Sequence, residues 1–185
     1  MNKQDGTQSP KKQRRSRKIN IVNQQNGQQA SVTQHPAHDD KEGWKVYWQA
    51  QGQPWRTEPE IDVARQKYLD DRRSIKPDIE QGIYPFKDIQ LSRADVEWLL
   101  ATHENGRGPV DWHDESQRDR DGLDLRGADL QKVNLRGLPL VCLIGGLTGS
   151  TWFYASPEQC EMAAVRMQGA LLIETELAGA KSLSH

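Results

Sequence analysis

Five side chains within the stretch HENGRGPVDWHD could do chemistry: His103, Glu104, Asp111, His113 and Asp114. Imidazole and carboxylate together can hold a metal or move a proton. Their spacing matches no His-Glu-x-x-His or comparable ligand pattern, and polar loops often carry such residues without a site. The chain also has no nucleophile elbow, no Walker loop and no dinucleotide fingerprint. The pair Gly145-Gly146 lacks the lysine and the glycine spacing of a phosphate loop and reads as a tight turn. The expectation is a non-enzymatic protein with no catalytic, cofactor-binding or metal-binding residues and no cofactor.

A second group is cationic. Lys11, Lys12, Arg14, Arg15, Arg17 and Lys18 fill six of eight consecutive positions, enough to bind a polyanion such as nucleic acid by releasing counterions. Residues 1–40 contain seven Lys or Arg and three Asp, a net +4. The whole chain has 25 basic and 26 acidic residues, so the rest holds 18 and 23, a net −5. Residues 1–40 hold no aromatic residue and only Ile19, Ile21, Val22 and Val32 as branched apolar side chains, too few to offset ordering entropy. They are expected to form a disordered basic tail, in line with the mean hydropathy of −0.88.

The elements that must position any site are organised around a period of five. Residues 123–142 read LDLRG, ADLQK, VNLRG and LPLVC, with Leu125, Leu130, Leu135 and Leu140 at the centres and Leu123, Ala128, Val133 and Leu138 two residues before them. Five fits neither the helical period of 3.6 nor the strand period of 2. The motif resembles the pentapeptide-repeat family, whose consensus A-(D/N)-L-x-x is met by Ala128-Asp129-Leu130 and approached by Val133-Asn134-Leu135. The resemblance implies a short right-handed quadrilateral β-helix, a solenoid in which these residues point inward and four units make one coil. Residues 143–164 break the register, with a helix start at Ser156, Pro157 and Gln159. A weaker second coil can be drawn over 165–184, with Val165, Met167, Ala170, Leu172 and Leu177 as core residues. One continuous helix, flawed at Gly169, is the competing reading of that stretch.

The expected class is mixed α+β: a helical, aromatic-rich cap over 41–114, then a repeat region over 115–185 with a helical insertion. Trp44, Tyr47, Trp48 and Trp55 announce the cap, as a strand or an aromatic-anchored loop. Thr57, Pro59 and Glu60 resemble a helix start, with Ile61, Ala64, Tyr68 and Ile75 on one face and Pro77 as the stop. Ser92 and Asp95 announce a further helix ending near Asn105-Gly106. Trp98, Trp112 or Tyr84 would pack on the first coil. Gly43 to about Asp121 is similar to the N-terminal region attached to repeats in some bacterial pentapeptide-repeat proteins.

No apolar run of membrane-spanning or signal-peptide character is present, so a cytoplasmic location is expected. Cys142 and Cys160 suit reduced packing residues. The expected function is a protein-interaction module, with protein partners or a second copy meeting the open C-terminal coil edge. Polyanion binding through the tail is the alternative. A third reading comes from family members that imitate DNA and bind topoisomerase, but the outward residues Asp124, Arg126, Asp129, Lys132 and Arg136 are of mixed charge.

Overall fold

The computed structural model describes residues 35–182. The expected disordered tail falls largely outside them. The first element, α1 (Lys41–Ala50), is a helix where a strand or loop was expected. Asp40 caps it, accepting from Gly43 N at 2.9 Å. Trp44 and Trp48, one turn apart, bury on the same side with ring centroids 5.6 Å apart. Trp48 is held further: its indole N–H donates to the Glu58 carbonyl at 2.8 Å, and the Arg56 guanidinium lies 3.5 Å from its ring centre.

The helix expected from Thr57 starts later. Asp62, not Thr57, caps α2 (Val63–Arg73), accepting from Arg65 N at 2.8 Å. The Thr57 hydroxyl and amide are both engaged elsewhere, with Glu97 of α3 (Arg93–Ala101). That third helix starts as its capping pattern predicts: Ser92 N donates to Asp95 Oδ2 at 2.8 Å, and Asp95 N to Ser92 Oγ at 3.1 Å. After α3 comes the short turn α4 (His103–Gly106), in which Glu104 and Asn105 have left-handed backbone.

From Leu123 the chain turns every five residues. Leu125, Leu130, Leu135 and Leu140 carbonyls each accept from the amide three residues on, at 3.0–3.3 Å. The third residue of each turn is left-handed: Gly127, Lys132, Gly137 and Cys142, then Gly169, Glu174 and Gly179, with φ of 56–74°. This is the type II turn, which requires positive φ at that position. Lys132, Cys142 and Glu174 accept a cost of about 1 kcal/mol each to keep the rhythm. Successive passes lie side by side through isolated parallel bridges, Asp129 to Arg166, Asn134 to Leu171, Pro139 to Glu176, and Ile144 to both Asp124 and Lys181.

These bridges correct the expected fold class. Among the described residues there is no β-strand and no sheet, so neither the right-handed quadrilateral β-helix nor a solenoid of strands is formed. The physical reason lies in the unit. Four of its five residues are shared with a turn, leaving single pairs between corners where a ladder would need runs. The continuous-helix reading of 165–184 is corrected as well, since Val165–Ser182 holds turns and bridges only.

The insertion is narrower than 143–164. Leu143 is fully buried and Ile144 pairs on both sides; the chain leaves the rhythm at Gly145 and returns at Val165, whose N–H donates to the Gly145 carbonyl at 2.7 Å. Between them lie α5 (Gly149–Tyr154) and α6 (Pro157–Ala163), the latter capped by Ser156 and Gln159 as expected.

One core spans cap and turns: Leu69, Leu91, Val96, Leu99 and Leu100 pack with Leu125, Leu130, Leu135, Leu138, Leu140 and Leu143. Trp98 belongs to this core, whereas Tyr84 packs under the insertion with Leu147 and Ala163, and Trp112 is partly exposed over Gly179. Both cysteines are free thiols, Cys142 buried and Cys160 half-buried. No helix among the described residues is long and apolar enough to cross a membrane.

Two substitutions separate turn conformation from close packing. A Cβ at Gly127 would lie 3.0 Å from Lys87 Cα and from the Met162 carbonyl, whereas at Gly137 it would meet nothing within 4 Å. Both sit at positive φ. Gly137→Ala should cost about 1 kcal/mol and Gly127→Ala about 2–3 kcal/mol in denaturant unfolding, and equal losses would contradict the packing difference.

Candidate interaction surfaces

Glu97 is the most deeply buried ionised group, with no exposed surface. Its carboxylate accepts from Thr57 N (3.0 Å), Thr57 Oγ1 (3.2 Å), Glu58 N (3.0 Å) and Arg93 Nε (2.8 Å). Burial holds the Glu97 carboxyl above its ordinary value of 4.5, and these donors offset only part of that. Each hydrogen bond it makes is one it accepts, an arrangement suited to a carboxylate. Arg93 relays the contact onward, its Nη1 donating to the Asn134 and Arg136 carbonyls at 2.9 Å each. One ion pair thus joins the segment after α1, the helix α3 and a corner of the five-residue turns.

Beside it lies a groove of about 990 Å³, lined by Glu58, Ile61, Arg65, Asp95, Lys132 and Asn134 among others. Its cations are mostly committed. Arg65 makes a two-point pair with Asp95, both bonds 2.9 Å, and Arg93 serves Glu97. The Asp95 carboxyl is raised by desolvation but lowered more by its bonds from Arg65 and Ser92, and ends below its ordinary value of 3.8. The groove therefore presents a satisfied charge network rather than a poised acid and base.

The His/Asp stretch does not converge. His103 Nε2 lies 2.9 Å from the Asp121 carbonyl, and Glu104 is bound by Arg120 at 2.7 Å and Arg107 at 3.3 Å. Asp111 accepts from the His113 amide, and Asp114 from the Ser116 amide, Ser116 Oγ and Gln117 Nε2. These are turn-forming contacts, and among the described residues no three His, Cys, Asp or Glu side chains are grouped to hold a metal ion. Lys11, Lys12, Arg14, Arg15, Arg17 and Lys18 lie outside the described residues.

The expected core positions divide by pass. Leu123, Leu125, Ala128, Leu130, Leu135, Leu138 and Leu140 are buried, with Val133 half-buried against them. In the second pass Val165 is buried and Met167, Ala170 and Leu177 are half-buried, but Leu172 is 37% exposed, so its placement as a core residue is corrected. Exposure there has a simple cause. First-pass amides such as Leu130 N and Leu135 N donate to the second pass, while the equivalent N–H groups of Met167, Leu172 and Leu177 have no backbone partner among the described residues. The carbonyls of Val165, Ala170 and Thr175 are equally open. Leu171 and Ile173, both about half exposed, flank this edge.

No family model, curated protein or solved structure matches the chain.

Removing one member of the buried pair leaves the other uncompensated. Glu97→Ala should lower unfolding free energy by about 3–5 kcal/mol, with Arg93→Met/Glu97→Met losing less than either single change, and additive losses would contradict the coupling. The depressed Asp95 gives a pH test. Its contribution is present above the ordinary carboxylate value and lost as pH falls through the lowered one. Stability should fall on acidification below about pH 4, with a shallower fall in Asp95→Asn; identical slopes would remove Asp95 from the account.

Proposed function

We propose that the chain is a non-enzymatic protein-interaction module related to pentapeptide-repeat proteins in sequence rhythm, acting in the cytoplasm without a cofactor. The observation that carries this is the open edge from Val165 to Ala180. It offers backbone donors and acceptors at five-residue intervals beside the exposed side chains Leu171, Leu172 and Ile173. An unpaired edge of this kind templates pairing with another chain. A second copy suits it, because an edge that carries both donors and acceptors can meet its own two-fold mate with each group opposite its complement.

Sedimentation of the full chain over a roughly hundredfold range of concentration tests this directly. Association should rise with concentration and be lost in Leu172→Lys, with the melting temperature little changed. A chain that stays monomeric throughout would overturn self-pairing.

The second reading, polyanion binding, rests on the six cations between positions 11 and 18. Deleting residues 1–18 should abolish salt-dependent binding to DNA or RNA, and unchanged affinity would dismiss it. DNA mimicry has less support. Asp124 is paired with Arg126 at 2.6 Å, Asp129 with Arg166 at 3.6 Å and Glu174 with Arg136 at 3.5 Å, so the outward carboxylates are largely neutralised.

A further inference from the structure

The insertion carries an aromatic surface that the fold does not use. The six-residue helix α5 buries none of its residues, and Trp152, Phe153 and Tyr154 are 60%, 73% and 83% exposed. Consecutive helical residues point about 100° apart, so three exposed rings in a row leave no side of this helix turned to the core. Single exposed apolar residues are ordinary, but a contiguous aromatic group marks an interaction site. Tyr154 also lines a groove of about 640 Å³ with Pro77, Ile79 and Ala155 as its apolar wall.

The groove's charge selects the occupant. Asp78 and Glu80 line it, and neither makes an ion pair among the described residues; the Asp78 carboxylate accepts only from the Gln81 amide, at 3.0 Å. On α6, next to the groove-lining Gln159, Glu158 and then Glu161 are unpaired in the same sense. Lys76 is the one cation adjoining the groove-lining segment in sequence, and the balance there remains acidic. Carboxylates and aromatic faces favour the same ligand, a guanidinium or ammonium group. They equally disfavour the phosphates of nucleic acid and of anionic lipid.

We propose that α5 and this groove bind a segment of a protein partner that carries Arg or Lys beside aliphatic or aromatic residues. The cation sits between the Asp78 and Glu80 carboxylates and the rings of α5, and the neighbouring apolar side chain enters between Ile79 and Ala155. This deepens the reading of the chain as a protein-interaction module, at a surface other than the Val165–Ala180 edge.

The test pans a displayed random peptide library against the full chain, against Trp152→Ala/Tyr154→Ala and against Asp78→Asn/Glu80→Gln. All four positions belong to the exposed helix or the groove lining, and melting curves check that each variant folds. Enriched peptides should share a basic residue next to an apolar one, bind less tightly as salt is raised, and lose about tenfold or more in affinity on either variant. No enrichment, enrichment of acidic or purely apolar peptides, or binding that survives both variants would overturn the proposal. So would loss of self-association in Trp152→Ala/Tyr154→Ala, which would make a second copy the occupant, or binding of phosphatidylcholine vesicles that this variant abolishes. Leu172→Lys should leave peptide binding intact, so failure at the edge and failure at α5 are read separately.

Discussion

A carboxylate with no access to water, met on every side by donors, joins the parts of this protein that apolar packing alone would not lock. Glu97 draws the Thr57-Glu58 backbone against α3, and its partner Arg93 donates onward to the Asn134 and Arg136 carbonyls at a turn corner. The cost of burying such a charge is recovered only when each lone pair is satisfied. That condition is met only if the segment after α1, the helix and the turns stand in their observed relation. The shared leucine core supplies bulk burial; the ion pair supplies the register.

The five-residue rhythm imposes the second constraint. A left-handed residue at every corner turns the chain before two extended residues can pair in succession. Passes therefore meet through isolated bridges, and each pass depends on its neighbour for amide partners. The first pass has the Ile89–Leu91 segment on one side and the second pass on the other, with Leu91 N donating to the Asp129 carbonyl and Asp129 N to the Ile89 carbonyl across the first of these. The second pass has only one such neighbour among the described residues. The half-exposed Leu171 and Ile173 follow from that asymmetry, as do the open amides.

Much of this was legible in the chain and some was not, for identifiable reasons. The spacing of Leu125, Leu130, Leu135 and Leu140 located the inward positions because period and burial coincide there. Ser92 and Ser156 marked helix starts because their capping partners sit three residues on. Thr57 misled because its hydroxyl and amide serve Glu97, forty residues away, a contact no local pattern encodes. The helix α1 was missed because Trp and Tyr suit strand and loop as readily as helix. Only the one-turn spacing of Trp44 and Trp48 under the Asp40 cap could have signalled it. The strands implied by the family resemblance did not form, since the turn chemistry of the unit leaves them no length. The exposed α5 aromatics carried no signal beyond composition, because exposure is a property of what fails to pack.

The central claim is that the Val165–Ala180 edge is completed by another chain. Amide hydrogen exchange of the full protein, measured at low and high concentration, addresses it at single-residue level. The account predicts that Met167, Leu172 and Leu177 exchange freely in dilute solution and become protected together as concentration rises, while Leu130 and Leu135 stay protected throughout. Free exchange of all three at the highest concentration would contradict it.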